Sequence, residues 1–189
     1  KVHLHEGHIE RALAAGLQPD HLRPFTTSVK LGRVTVDTIH MAHDVLGTVG
    51  FIFNHCGFRF GFATDLGRVP DSMLEAFTSL DAIAIESNYD PDMQRTSGRP
   101  EWLQERIMGG GGHLSNEESL AAIRKISNNS RLQHIVLLHL SQQCNSPEII
   151  RNLYQDNLAH LYDAVTITSQ DRCSRLLRFE KQGVATPTM

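Results

Sequence analysis

The sequence predicts a mixed α/β (α+β) fold in which one sheet is covered by helices. Strand-like runs follow one another around short turns in the first half of the chain, and apolar strand runs alternate with helical spacings in the second. The 189 residues, 40% hydrophobic and 21% charged, suffice for one domain with a real core.

Residues 1 to 5 read as a short strand, and Ile9 to Leu13 as an amphipathic turn or two closed by Gly16. A loop follows through Pro19 and Pro24. Val34, Val36, Ile39 and Met41 alternate as an extended segment does, and Thr48 to Phe53 with Phe58 to Ala63 flank a turn at Asn54 to Gly57, completing a three-stranded meander. After Pro70, Met73, Leu74, Phe77 and Leu80 recur at helical spacing, whereas Ala82 to Ile85 is apolar at every position, as in a strand buried on both faces.

Trp102 to Ile107 predicts a short helix. Ser115 and Glu118 form a capping box at the head of a helix over Leu120 to Ile126, and Ile135 to Leu138 is the next strand. Ser146 followed by Pro147 starts another helix, proline being harmless at a first position whose N–H has no partner. Ala164 to Thr168 and Ser174 to Phe179 are expected as final strands around a turn at Gln170 to Asp171. A single domain over residues 1–182 is expected, with 183–189 a flexible tail.

Composition excludes several classes. Eighteen Lys and Arg stand against 21 Asp and Glu, a formal charge of -3, so no global positive field advertises a nucleic-acid partner and any such binding must be local. Three widely spaced cysteines, Cys56, Cys144 and Cys173, suit free thiols in a reducing compartment. No apolar stretch approaches the ~20 residues that span a bilayer, so a cytoplasmic protein without a membrane partner is expected. Lys1 in place of Met, directly before a strand pattern, predicts an N-terminally truncated chain.

Three residues of metal-binding type stand where apolar runs stop: His43, Asp65 and His139. Strands of one sheet end along a common edge, where side chains distant in sequence converge on one ion or substrate. Imidazole nitrogen and carboxylate oxygen are the donors that zinc and related ions prefer. Glu86 ends its own run in the same manner. Gly109 to Gly112 precede His113 as a loop without side chains, which allows close approach to its backbone. A histidine or glutamate at a strand end is also commonly structural, so the coincidence of several carries the weight.

These segments, in order, resemble the metallo-β-lactamase-fold hydrolases and, within them, the WalJ/YycJ nuclease-like branch, which is related to RNase Z. The matching residues are Ala42-His43-Asp44, Val49-Gly50-Phe51, Ala63-Thr64-Asp65-Leu66-Gly67, Ile85-Glu86-Ser87-Asn88-Tyr89-Asp90, Gly112-His113-Leu114-Ser115-Asn116 and Leu138-His139-Leu140-Ser141, covering about residues 30 to 150. The resemblance implies an αββα sandwich, of which this chain is the C-terminal portion. It implies His43 as a ligand of a first metal, Asp65 as the carboxylate bridging two, and His139 as a ligand of the second. Glu86 and His113 resemble the pair that handles the leaving-group proton. The implied cofactors are two divalent ions, zinc or else manganese, and the implied substrate is nucleic acid, cut at its phosphodiester bonds by activated water.

The family's H-x-H-x-D-H signature is absent in its usual form. His3, His5, Glu6 and His8 imitate it, but Gly7 occupies the aspartate position and the gap to His43 is short, so Val2 to His5 is read as a later strand with the signature lying before Lys1. Three ligands over two ions predict weak metal binding or none. The rivals are a metallo-hydrolase of thioesters or lactams on the same fold, and an inactive half-domain that self-associates as a homodimer. Cys144 is read as buried filler. Arg172, Arg175, Arg178 and Lys181 are read as a solvated edge rather than a phosphate track.

Overall fold

A computed structural model of the chain describes residues 1–41 and 48–180. The order of elements is β1 (Val2–His5), α1 (Ile9–Ala14), β2 (Leu22–Phe25), β3 (Ser28–Leu31), β4 (Val34–Met41), β5 (Thr48–His55), β6 (Phe58–Ala63), α2 (Asp71–Ala76), β7 (Ala82–Glu86), α3 (Pro91–Arg95), α4 (Glu101–Met108), α5 (Asn116–Ser127), β8 (His134–Leu138), α6 (Pro147–Asn157) and β9 (Val165–Ile167), with short 3-10 turns between some of them.

β3 to β9 form one seven-stranded sheet in sequence order, and β1 pairs in parallel with β2 as a separate two-stranded sheet. The large sheet changes character at β6. From β3 to β6 it is an antiparallel meander with four strands rather than three; from β6 to β9 every pairing is parallel. Parallel neighbours need crossovers, and the helices after β6, β7 and β8 supply them. Strands covered on both faces read as continuous apolar runs, and all five residues of β7 are buried. Ile83 and Ile85 of β7, Ile135 and Leu137 of β8, and Leu120, Ile123 and Ile126 of α5 share one core with Met73, Phe77, Ile150 and Tyr154.

Several expectations change. The loop through Pro19 and Pro24 contains β2, whose Pro24 sits opposite Leu4; β2 has no second neighbour among the described residues, so a residue without an N–H is tolerated there. β3 was not anticipated, because half-exposed Val29 and exposed Leu31 give a weak pattern. The helix after Pro70 stops at Ala76. Ser79 takes a left-handed φ of 53°, and Leu80 reaches the core from a turn pinned by Ser130 Oγ at 3.1 Å. The last strand spans Val165–Ile167, preceded by a 3-10 turn over Ala159–Ala164.

Ser174 to Phe179 form no strand. That stretch is held at its end by side chains rather than a ladder: His134 Nε2 lies 2.8 Å from the Arg178 carbonyl, and Gln133 exchanges hydrogen bonds with Glu180. Leu176, 79% exposed, has no sheet face to cover. The arginine spacing is therefore not that of a strand edge.

The capping box of α5 is present. Ser115 Oγ accepts from the Glu118 N–H at 3.2 Å, and the Glu118 carboxylate accepts from the Ser115 N–H at 2.8 Å. Ser115→Ala should therefore lower stability by about 1 kcal/mol, read as a lower urea midpoint with an unchanged slope.

Candidate metal centre

The parallel half of the sheet aligns the carboxyl ends of β6, β7 and β8. Ala63 lies opposite Ile85, and Glu86 opposite Leu138. Asp65, Glu86 and His139 consequently leave three neighbouring strands at the same edge. Asp65 and His139 both adopt left-handed backbone, with φ of 56° and 57°. Such a turn is uncommon outside glycine, although Asp and His are among the residues that tolerate it best.

His113 arrives from the loop between α4 and α5, and two glycines set its position. A Cβ on Gly67 would collide with the backbone of Gly110 and Gly111, and one on Gly112 with the carbonyls of Arg106 and Ile107. The loop after β6 and the glycine run therefore pack backbone to backbone, a distance that no side chain permits. His113 and Asp65 are brought to the same point.

At that point Glu86 is the hub. It is fully buried, its Oε1 lies 2.7 Å from His113 Nδ1 and 2.8 Å from His139 Nδ1, and its Oε2 accepts the Leu66 N–H at 2.5 Å. Burial alone pushes its pKa up, but the bonds from His113, His139 and Leu66 outweigh that and hold it below the usual glutamate value. An ionised carboxylate only accepts, so both Nδ1 atoms carry hydrogen. Each ring, when neutral, then keeps its lone pair on Nε2. The His139 Nε2 lies 3.7 Å from Asp65 Oδ1, and His113 Nδ1 lies 4.0 Å from the same oxygen. The bond to Glu86 also raises the His139 pKa, more than partial burial lowers it.

Asp65, His113 and His139 offer ligand atoms all within 4.8 Å of one another, the single such group of three among the described residues. His43 lies outside the described residues. Of the sequence-predicted site residues, Asp65, Glu86, His113 and His139 thus converge. The histidines of β1 take no part in the group: His5 is buried, accepts from the Gly7 N–H at 3.2 Å, and stacks edge-on to His40 with centroids 4.5 Å apart.

A set of amides that sequence reasoning missed braces these loops from behind. Asn116 and Asn145 bond each other reciprocally at 2.9 and 3.0 Å, Ser87 Oγ donates to Asn116, and Asn145 Nδ2 donates to the carbonyls of Ser87 and Asn88. Asn88 Nδ2 in turn holds the His139 carbonyl at 2.6 Å. Asn145 has no periodicity or motif of its own in the sequence; three loops closing on it is a tertiary fact.

The family model described as Beta-lactamase superfamily domain matches residues 6–140, and the chain belongs to that family. Among curated relatives it is 31% identical over 141 residues to exodeoxyribonuclease WalJ of Streptococcus pneumoniae, covering 74% of this chain and 51% of that protein. The chain spans about half the length of the curated relatives it matches. Among solved structures it is similar to the metallo-beta-lactamase fold protein YhfI from Bacillus subtilis, with a TM-score of 0.63 at 14% identity over 88% of this chain and 61% of that one. Zn(2+)-bound PqqB from Methylobacterium extorquens gives a TM-score of 0.62 at 14% identity and the same coverage. At such identities the structures establish the metallo-β-lactamase fold alone.

The shared carboxylate makes a spectroscopic prediction. In metal-free protein the His139 imidazole should titrate above its ordinary 6.5 by NMR, and Glu86→Gln should bring it down, because the neutral amide no longer favours the imidazolium. In linkage terms the charged pair adds stability below pH 6.5 that is lost as pH rises through the folded His139 value.

Proposed function

We propose that the chain carries part of the centre of a dinuclear-metal phosphodiesterase acting on nucleic acid, with DNA as its substrate. One observation carries the reading: a carboxylate and two imidazoles share one small space, and both rings are held by a single buried carboxylate. A ring whose Nδ1–H is engaged by a carboxylate is oriented to bind an ion through Nε2. The oxygen and imidazole donors suit zinc, with manganese as the alternative. The relative's description as an exodeoxyribonuclease supports DNA. Three free cysteines, two of them exposed, support a cytoplasmic location.

In this reading Asp65, His43 and His139 would hold the ions, with Asp65 serving both, His43 the first and His139 the second. When bound, divalent cations stabilise charge on the phosphoryl oxygens and supply a nucleophilic water near neutral pH. His113 delivers the proton to the departing oxygen. Glu86, accepting from its Nδ1, fixes the ring and stabilises the imidazolium from which that proton comes. Glu86 thus acts on both metal binding and proton delivery.

A second reading makes His113 a third ligand, because it belongs to the same 4.8 Å group. His113→Ala separates the two: the first reading predicts a fall in turnover of about 100-fold or more with metal content retained, the second a loss of metal. In a full-length product that contains this chain, Asp65→Ala should abolish metal-dependent nuclease activity without unfolding the protein. Undiminished turnover in that variant, measured on labelled DNA, contradicts the assignment.

A further inference from the structure

Two cavities meet at His139, and they differ in charge. One, of about 320 Å³, is lined by Asp65, Arg106, His113 and His139 together with apolar and glycine residues. The other, of about 290 Å³, is lined by His139, Leu140, Ser141, Gln142, Asn145, Pro147 and residues 168–171. No Lys or Arg lines this second cavity among the described residues; its charged groups are the imidazole of His139 and the carboxylate of Asp171.

Its walls are fixed. Thr168 bonds the Leu137 carbonyl through both N–H and Oγ1, Gln170 Nε2 donates to the Leu140 carbonyl at 3.0 Å, and Asn145 belongs to the buried amide set. The exposed Gln142 amide, by contrast, makes no hydrogen bond to another described residue. The cavity therefore combines apolar surface from Leu140 and Pro147, one uncommitted donor–acceptor amide, and a carboxylate. Pockets for small ligands have this makeup, apolar walls with a few polar groups that orient, and this volume lies at the small end of their range.

In a nucleic-acid strand the negative charge sits on the phosphates, and the base and sugar are neutral. A phosphate at His139 has Arg106 on one side and, on the other, a cavity of single-nucleoside size that no Lys or Arg lines among the described residues. We propose that the second cavity receives the terminal nucleoside of a strand whose scissile phosphate lies at His139, and that it selects an end carrying a hydroxyl over one carrying a phosphate. This rests on the phosphodiesterase reading above. The selectivity comes from Asp171: a second phosphate on that nucleoside would enter a cavity holding a carboxylate and no Lys or Arg, whereas a sugar hydroxyl can donate to it.

The test is an NMR titration of the metal-free chain with thymidine 3′-monophosphate, thymidine 5′-monophosphate and thymidine 3′,5′-bisphosphate. The tighter monophosphate should shift the amides of Ser141, Gln142 and residues 168–171. The bisphosphate should bind about 2- to 5-fold more weakly despite its greater charge, the effect expected of one exposed carboxylate. Asp171→Asn should remove that gap, and Gln142→Ala should weaken the monophosphate several-fold. Bisphosphate binding as tight as the monophosphate in the unaltered chain overturns the selectivity, and unshifted amides at 141, 142 and 168–171 overturn the cavity assignment. Monophosphate binding there, with no cleavage of nucleic acid by a metal-loaded full-length product that contains this chain, overturns the phosphodiesterase reading while upholding the nucleoside cavity.

Discussion

The site depends on one buried carboxylate. Taking an ionised glutamate out of water costs several kcal/mol, a cost met only where its oxygens are fully engaged. Glu86 meets that condition with three donors from three separate segments: the backbone after β6, the ring that follows β8, and the ring that precedes α5. Each bond offsets the desolvation, and each fixes a loop that has no regular structure of its own. The same atoms that make the burial tolerable orient both imidazoles, so stability and site geometry are set by one interaction.

Around this hub the rest of the edge is arranged to leave little freedom. The contact of Gly67 with Gly110 and Gly111 closes the loops from one side, and the reciprocal Asn116–Asn145 pair braces them from the other. A buried polar network rigidifies only when its members are satisfied. The left-handed turns at Asp65 and His139 carry a local conformational cost, and both fall where the chain leaves a strand of the central sheet. Strain at such positions persists because the surroundings over-determine them.

Much of this was legible in the sequence, for physical reasons. β6, β7 and β8 read as short, mainly apolar runs, so the polar residue that ends or follows each one marks the sheet edge; this exposed Asp65, Glu86 and His139 as neighbours without any knowledge of their distances. The box at Ser115 and the proline after Ser146 located α5 and α6 because capping is a local interaction. The sharing of Glu86 between His113 and His139 was not legible, since it joins residues 27 and 53 positions apart through a register that only the folded sheet defines. Alternation misled at Ser174 to Phe179, where no neighbouring strand among the described residues completes a ladder. α3, five residues long, was passed over although Asp90 and Pro91 mark its start, because it offers almost no apolar period.

The central claim is that Glu86 holds rings while Asp65 and His139 hold the cation. Anomalous diffraction at the zinc edge, from crystals of the chain grown with zinc, tests it most directly. The account predicts a zinc peak about 2.0–2.2 Å from the Asp65 carboxylate and from His139 Nε2, with Glu86 still bonded to both Nδ1 atoms and outside the coordination sphere. Zinc bound to Glu86 itself, or confined to the histidines of β1, would contradict it.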